Sequence, residues 1–237
     1  MIKIIIPTCD KYRNILEANK YTLDKSDGAA LDVTVLGYKK PDFDMGSWKF
    51  VSLGNDTGPQ NFSNDIISFF QDFTDEYFIY GNDDCVITNK FNNDFLIEII
   101  ETVKKIPNFG RMWLTKTPSA FYGGSSAIKN FGTYHIAEIN QWAEYRLSLQ
   151  YSLWKTSYFK KYLIPDISPW QWETRDIAKY DGTAILLPVN NFVVSAGHVM
   201  KGGNFLNNWH KSIYGEAELN SEDIVTVENI FKKHKII

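Results

Sequence analysis

Phe78-Ile79-Tyr80-Gly81-Asn82-Asp83-Asp84-Cys85-Val86-Ile87 decides how this chain reads. Two apolar runs bracket an amide and two adjacent carboxylates. Tyr77 to Tyr80 is expected as a short interior strand, which places the polar group at its carboxyl end. Open sheets of α/β type bind ligands in the crevice beyond the carboxyl ends of their strands. Carboxylates held there are hard oxygen ligands suited to magnesium or manganese. The same residues also suit a plain Asn-Asp turn between two strands.

Upstream of this stretch, strand and helix patterns alternate. Ile2 to Ile6 reads as a buried strand ending in Pro7-Thr8-Cys9-Asp10. Tyr12, Ile15, Leu16, Asn19 and Leu23 share a helical face, with Asp10 as the expected N-cap. Leu31 to Leu36 and Lys49 to Leu53 are the next strands, and Asn55 to Pro59 is a loop by composition. Ile66, Ile67, Phe69, Phe70 and Phe73 mark an amphipathic helix capped near Ser63 or Asn64. Downstream, Phe95, Leu96, Ile99, Ile100 and Val103 mark another helix, and Met112 to Leu114 lies in a strand. This rhythm predicts an α/β fold with a mainly parallel sheet flanked by helices. Pro7 to Asp10 and Gly81 to Asp84 should then be spatial neighbours.

The second half is less regular. Gly123 and Gly124 suggest a loop. Tyr134 to Ile139 and Tyr145 to Tyr151 are expected strands, and Ile185 to Val194 contains strand material. Ser157 to Leu163 and Pro169 to Tyr180 are expected helices. Ser221 to Lys233 is a final helix with Ser221 as its cap. Repeats, low-complexity tracts and a clean linker are all absent, so a single domain spanning 1–237 is expected.

Composition narrows the class. The 237 residues carry a net charge of -3, with 44% hydrophobic and 22% charged residues. That is an ordinary globular balance, which argues against global disorder and against a nucleic-acid-binding charge footprint. Cys9 and Cys85 build neither a disulfide framework nor a CxxC zinc site. The apolar run at Ile2 is broken by Lys3 and stopped by Pro7, so neither a signal peptide nor a membrane span is expected, and the cytoplasm is the simplest compartment. Aromatics make up 15% of the chain. They serve either a well-filled core or a surface that stacks on sugars or bases.

Three further stretches carry candidate chemistry. Ser148-Leu149-Gln150 precedes Leu153-Trp154, and Ser168-Pro169-Trp170-Gln171-Trp172-Glu173 follows. Tryptophan rings stack on sugar faces, and a carboxylate within hydrogen-bond reach of a hydroxyl can take its proton. Equally, Pro169 can open a helix with both tryptophans in the core and Glu173 near its N-terminus. Gly197-His198-Val199-Met200-Lys201-Gly202-Gly203 sets a histidine and a lysine among glycines, suited to a metal or a phosphate, or simply to a turn.

Together these pieces resemble glycosyltransferases of the GT-A type, and more narrowly small transferases of bacterial polysaccharide loci and tailed bacteriophages. Four positions in order carry the resemblance: Ile6 to Asp10, the Asp-x-Asp-like Asn82-Asp83-Asp84, the Ser-Leu-Gln and Ser-Pro-Trp-x-Trp-Glu pair, and Gly197-His198. The resemblance implies a Rossmann-type GT-A-like sheet, with a nucleotide-sugar-binding half at 1–115 and an acceptor-side half at 116–237. It implies donor binding by Thr8, Asp10, Asn82, Asp83, His198 and Lys201, and a Mn2+ or Mg2+ ion on Asp84 and His198. Glu173 would be the catalytic base of an inverting transfer, and Trp170 and Trp172 would bind the acceptor. A uridine diphosphate sugar is the default donor, and a glycan is the expected acceptor. The chain departs from the pattern at Asn82, where aspartate is common, and at His198, where lysine is common.

Three rivals share parts of this pattern. A phage DNA glycosyltransferase would modify a hydroxymethylated base, with Arg111, Lys116, Lys129, Arg146, Phe121 and Tyr122 as candidate DNA contacts. A nucleotidyltransferase would carry a glycine-rich basic loop after the first strand, and Pro7 to Arg13 contains no glycine. A non-catalytic sugar-binding module would use the tryptophans and need no acidic pair.

Overall fold

The computed structural model describes residues 2–26, 31–88, 93–115, 125–131, 134–189, 193–201, 203–210 and 219–237, without the side chains of 125–131 and 134. Its centre is a nine-stranded sheet. The first block comprises β1 (Lys3–Pro7), β2 (Asp32–Gly37), β3 (Lys49–Ser52) and β4 (Tyr77–Tyr80), ordered β3-β2-β1-β4 and all parallel. Beyond β5 (Cys85–Ile87), the sheet continues with β6 (Phe109–Trp113), β7 (Ser125–Phe131), β8 (Tyr134–Ile139), β9 (Ser152–Lys155) and β10 (Ala184–Pro188). Their order after β4 is β9-β6-β10-β8-β7. Only β9 and β8 run against the other seven strands. The α/β expectation with a mostly parallel sheet therefore holds.

Alternation along each strand separates two cores. Ile4 and Ile6 of β1 and Ile79 of β4 face one side, where α1 (Leu16–Lys25) and α3 (Asn93–Val103) supply Leu16, Leu23, Phe95, Leu96 and Ile99. Ile5, Phe78 and Tyr80 face the other side, toward α2 (Phe62–Gln71) and α4 (Thr156–Tyr162). Here the aromatic excess is spent: Phe70, Phe78, Phe159, Trp154 and Trp172 pack with ring centroids about 5 Å apart. Full burial of each such side chain contributes about 1.5–3 kcal/mol. A third cluster joins α1 to the last helix, α6 (Ser221–Lys233), through Ile15, Val86, Trp209, Val227 and Phe231.

Several local expectations shift. Asp10 caps no helix. Its carboxylate accepts from the Lys39 amide and pairs with the Lys39 ammonium, and a short 3-10 turn at Arg13–Ile15 opens α1 instead. Ser63 and Asn64 lie inside α2, where they bond the Ile167 amide and the Asp166 carboxylate. Asn220, not Ser221, caps α6 by accepting from the Asp223 amide. Tyr145 to Tyr151 is turn rather than strand, with Tyr145 at φ +54°, and the strand β9 begins at Ser152. The predicted helix from Pro169 stops at Glu173 as the five-residue α5, opened by a capping box between Ser168 and Gln171. Gly123 and Gly124 lie outside the described residues. Among the described residues, no helix is long and apolar enough to cross a membrane.

Candidate active site

The carboxyl ends of β1 and β4 meet as expected. Gly81 closes β4, and its amide bonds the Ile5 carbonyl. A Cβ at this position would lie 3.0 Å from Ile6 Cγ1 and 3.1 Å from Tyr151 Cε1, so any larger residue would have to push these side chains aside. The turn then directs Asp83 to the end of β1, where the Thr8 hydroxyl and the Cys9 amide bear on its carboxylate. Burial, followed by the adjacent Asp84 charge, pushes Asp83 up to about 7 despite those bonds. Further along the same edge the Asp10 amide donates to Asp56 after β3, and Arg13 and Asn14 both donate to Asp42 after β2. Thr8 and Asp10 thus sit where three strand ends are stitched together.

Asp84 faces a second element. The strand β11 (Ala196–His198) pairs antiparallel with β5, with His198 opposite Cys85. His198 Nδ1 lies 3.3 Å from Cys85 Sγ and 3.9 Å from an Asp84 carboxylate oxygen. The Cys85 thiol donates to Asp84 at 3.4 Å, and the Val199 amide donates to the Asp84 carbonyl at 2.8 Å. The predicted pair Asp84 and His198 is therefore brought together, and their carboxylate and imidazole form a donor set that fits a divalent cation. Cys85, passed over in the sequence as a lone cysteine, is the third member. Burial, then the Asp84 charge, raises its thiol well above the ordinary value. Gly197 makes the pairing possible, because a Cβ there would fall 1.6 Å from the Trp209 carbonyl oxygen.

Glu173 explains the spacing of the two sequence motifs. It ends α5 and accepts the Leu149 amide at 2.7 Å and the Ser148 hydroxyl at 3.0 Å. The Ser-Leu-Gln turn and the Ser-Pro-Trp-x-Trp-Glu helix are thus one clamp. Burial raises Glu173 above the usual glutamate range. The Leu149 amide, the Ser148 hydroxyl and the Arg111 guanidinium pull the other way, and Asp84 adds to the rise. Arg111 lies buried beneath, its guanidinium 3.6 Å from the Trp113 ring centroid and bonded to Ser152 Oγ.

The tryptophans divide. Trp172 is wholly buried, its indole donating to the Leu147 carbonyl, so the expectation that it stacks on an acceptor is corrected. Trp170, two residues earlier on the short helix, is 64% exposed. The DNA contacts are likewise corrected in part: Arg111 and Arg146 are buried, and Arg146 pairs with Asp181 at 3.2 Å rather than facing a phosphate. Lys116, Phe121 and Tyr122 lie outside the described residues, as does the Lys129 side chain. Lys201 is exposed on β12 (Met200–Lys201), which turns into β13 (Asn204–Phe205). A Cβ on Gly203 in that turn would sit 3.1 Å from Lys11 Nζ, so Lys11 is a second cation at the hairpin that the sequence reading missed.

Between these groups runs a cleft lined by Asn82, Cys85, Thr115, Gln150, Tyr151, Ala196 and His198. Asn82 Oδ1, Thr115 Oγ1 and Tyr151 OH are buried and lack hydrogen-bond partners among the described residues. Buried polar atoms of this kind are costly unless something supplies partners. The space between them is water-sized, so an ordered water is the partner that fits there.

No family model and no curated protein matches the sequence. Solved structures do match its fold. S. aureus TarS aligns over 98% of this chain and 39% of its own, with 13% identity and a TM-score of 0.51. A TarS 1-349 structure in complex with UDP aligns over 97% of this chain and 64% of its own, again with 13% identity and a TM-score of 0.51. UTP-bound UGPase from Acinetobacter baumannii aligns over 84% of this chain and 88% of its own, with 12% identity and a TM-score of 0.51. The chain thus has the GT-A-type fold and spans well under half the length of the full TarS structure.

Proposed function

We propose that this chain is a metal-dependent glycosyltransferase that moves a sugar from a nucleotide-diphosphate donor to an acceptor hydroxyl with inversion. The observation that carries the reading is the convergence of Asp83, Asp84, His198 and Glu173 on one sheet edge. Three distant segments contribute to it, and Asp84 is close enough to raise Glu173. The UDP held by one structural neighbour supports a uridine donor.

In this reading Thr8 and Asp10 bind the base and ribose, and Asn82 and Asp83 the ribose and donor sugar. Asp84 and His198 hold the divalent cation, for which the resemblance implies Mn2+ or Mg2+, and its charge would neutralise the leaving diphosphate. Lys201, from the hairpin beside Lys11, adds positive charge on the diphosphate. Trp170 offers an exposed ring to a glycan acceptor. Glu173 is fixed by Ser148 and Leu149, and its rise in basicity from burial suits it to take the acceptor proton as the hydroxyl attacks. A cytoplasmic setting belongs to the same proposal.

The test is calorimetric binding of UDP, GDP and CMP with manganese and with EDTA, followed by an acceptor screen that includes hydroxymethylated DNA. Manganese-dependent binding of one nucleotide is the expected result, and none in folded protein would overturn the reading. The UTP in another neighbour favours adding UTP to the panel. Pyrophosphate release from UTP and a sugar phosphate would move the assignment to a nucleotidyltransferase. The burial of Arg111 and Arg146 counts against DNA as acceptor.

A further inference from the structure

The cation site contains a donor that the Mn2+ or Mg2+ expectation leaves unused. Cys85 Sγ lies 3.4 Å from Asp84 Oδ1 and 3.3 Å from His198 Nδ1, and Asp84 Oδ2 lies 3.9 Å from the same nitrogen. One carboxylate oxygen, one thiol sulfur and one imidazole nitrogen thus lie within 4.8 Å of one another. Metal bonds of about 2.3 Å to sulfur and about 2.0–2.1 Å to nitrogen and oxygen, at tetrahedral angles, place paired donors about 3.4–3.6 Å apart. The sulfur–nitrogen separation matches such a tetrahedron, whereas Asp84 turns Oδ1 to the sulfur and Oδ2 to the nitrogen, so one oxygen reaches both only after a turn of this partly exposed carboxylate. Octahedral Mg2+ needs neighbouring oxygens only about 3.0 Å apart and has no use for sulfur.

The triangle is also held in place. The β5–β11 register sets His198 opposite Cys85, and the Val199 amide ties down the Asp84 carbonyl. Gly197 is wedged against Trp209, so β11 has no freedom to slide. Cys85 is buried behind the site, while Asp84 and His198 keep partial exposure. Both Cys85 and His198 line the cleft. Three protein donors with a fourth position open to a cleft is the arrangement of reactive rather than purely structural zinc sites.

We propose that Asp84, Cys85 and His198 form an O,S,N site that selects a borderline cation of the zinc and cobalt class over magnesium, its fourth position open to the cleft. The inference rests on the cation position assigned under the proposed function, yet its test needs neither donor nor acceptor. The EDTA-stripped full chain is titrated with Co2+ and followed by absorption spectroscopy, then with Zn2+ and Mg2+ by calorimetry. One equivalent of Co2+ should produce a sulfur-to-cobalt charge-transfer band with the strong visible bands of a four-coordinate ion. Zn2+ should abolish the spectrum, and Mg2+ in large excess should not.

Cys85→Ser should lose the charge-transfer band and at least about tenfold in Zn2+ affinity, since even groups behind the ligands change affinity by about 10–100-fold. His198→Gln should weaken Zn2+ binding while keeping some sulfur band. Cys9→Ser, which removes the other thiol, should leave the spectrum as it is. A Co2+ complex without the sulfur band, equal Zn2+ affinity in wild type and Cys85→Ser, or displacement by Mg2+ would each overturn the inference. If those results accompany manganese-dependent nucleotide binding, the glycosyltransferase reading survives alone. A sulfur-bound Co2+ without any nucleotide binding would leave this site standing and remove that reading.

Discussion

Glu173 offers a prediction in which structural and chemical roles separate. In Glu173→Gln the side-chain oxygen remains to accept from the Leu149 amide and the Ser148 hydroxyl, now without charge assistance. Each bond falls from about 1.5–3 to about 0.5–1.5 kcal/mol. Part of that is returned, because burial disfavours the charged carboxylate that the variant removes. The net change should stay within about 1 kcal/mol, or about 2–4 °C in Tm for a chain of this size. Glu173→Ala instead strands a buried amide and a buried hydroxyl at about 1–3 kcal/mol each, and Tm should fall by about 4–24 °C. If Glu173 is the base, both variants should lose about 10²–10⁴-fold in sugar transfer, and the Gln variant should bind donor nucleotide like wild type. Thermal denaturation, nucleotide calorimetry and a coupled assay of released nucleoside diphosphate read the three quantities. A Gln variant within threefold of wild-type turnover would remove Glu173 from the chemistry. An Ala variant as stable as Gln would remove the clamp.

Other positions give sharper single outcomes. Asp84→Asn should abolish manganese-dependent nucleotide binding with little change in Tm, checked by the same calorimetry. Gly197→Ala forces a methyl into the Trp209 carbonyl and should cost more than about 4 kcal/mol, seen as loss of soluble folded protein. Trp172→Ala should cost about 3–5 kcal/mol in denaturant unfolding as a core deletion. Trp170→Ala should stay within about 0.5 kcal/mol and raise the acceptor KM. Asp181 is pushed up by burial, but the Tyr162 hydroxyl, the Thr183 amide and hydroxyl and the Arg146 guanidinium more than reverse this and lower it. A lowered folded value means that its contribution is full above the unfolded carboxylate value near 4 and is lost as pH falls through the folded value. Unfolding followed from pH 6 to pH 2 should therefore show an acid loss that Asp181→Asn flattens.

The sequence by itself determined the parallel block and its chemistry-bearing edge. Apolar runs such as Ile4-Ile5-Ile6 and Phe78-Ile79-Tyr80 are buried on both faces, and a strand in that setting must end where polar residues and a glycine begin. That is enough to put Pro7 to Asp10 beside Gly81 to Asp84. Glu173 is drawn to the site only by the resemblance of the Ser-Pro-Trp-x-Trp-Glu motif, and only the structure shows that Ser148 and Leu149 hold it. Helix phase on a five-residue element was not legible. Trp170 and Trp172 look equivalent in sequence, and only the packing of α5 against Phe159 decides that one is core and the other surface. The strand at Ser152 was misplaced because its partners, β4 and β6, lie far away in the chain and impose the pairing. Cys85 stands 113 residues from His198, and nothing local to either marks the other. Their meeting depends on the antiparallel register of β5 with β11, which Gly197 permits by lacking a side chain. Local propensity and burial pattern are written residue by residue, whereas a donor triangle is a property of distances that exist only after the chain has closed on itself.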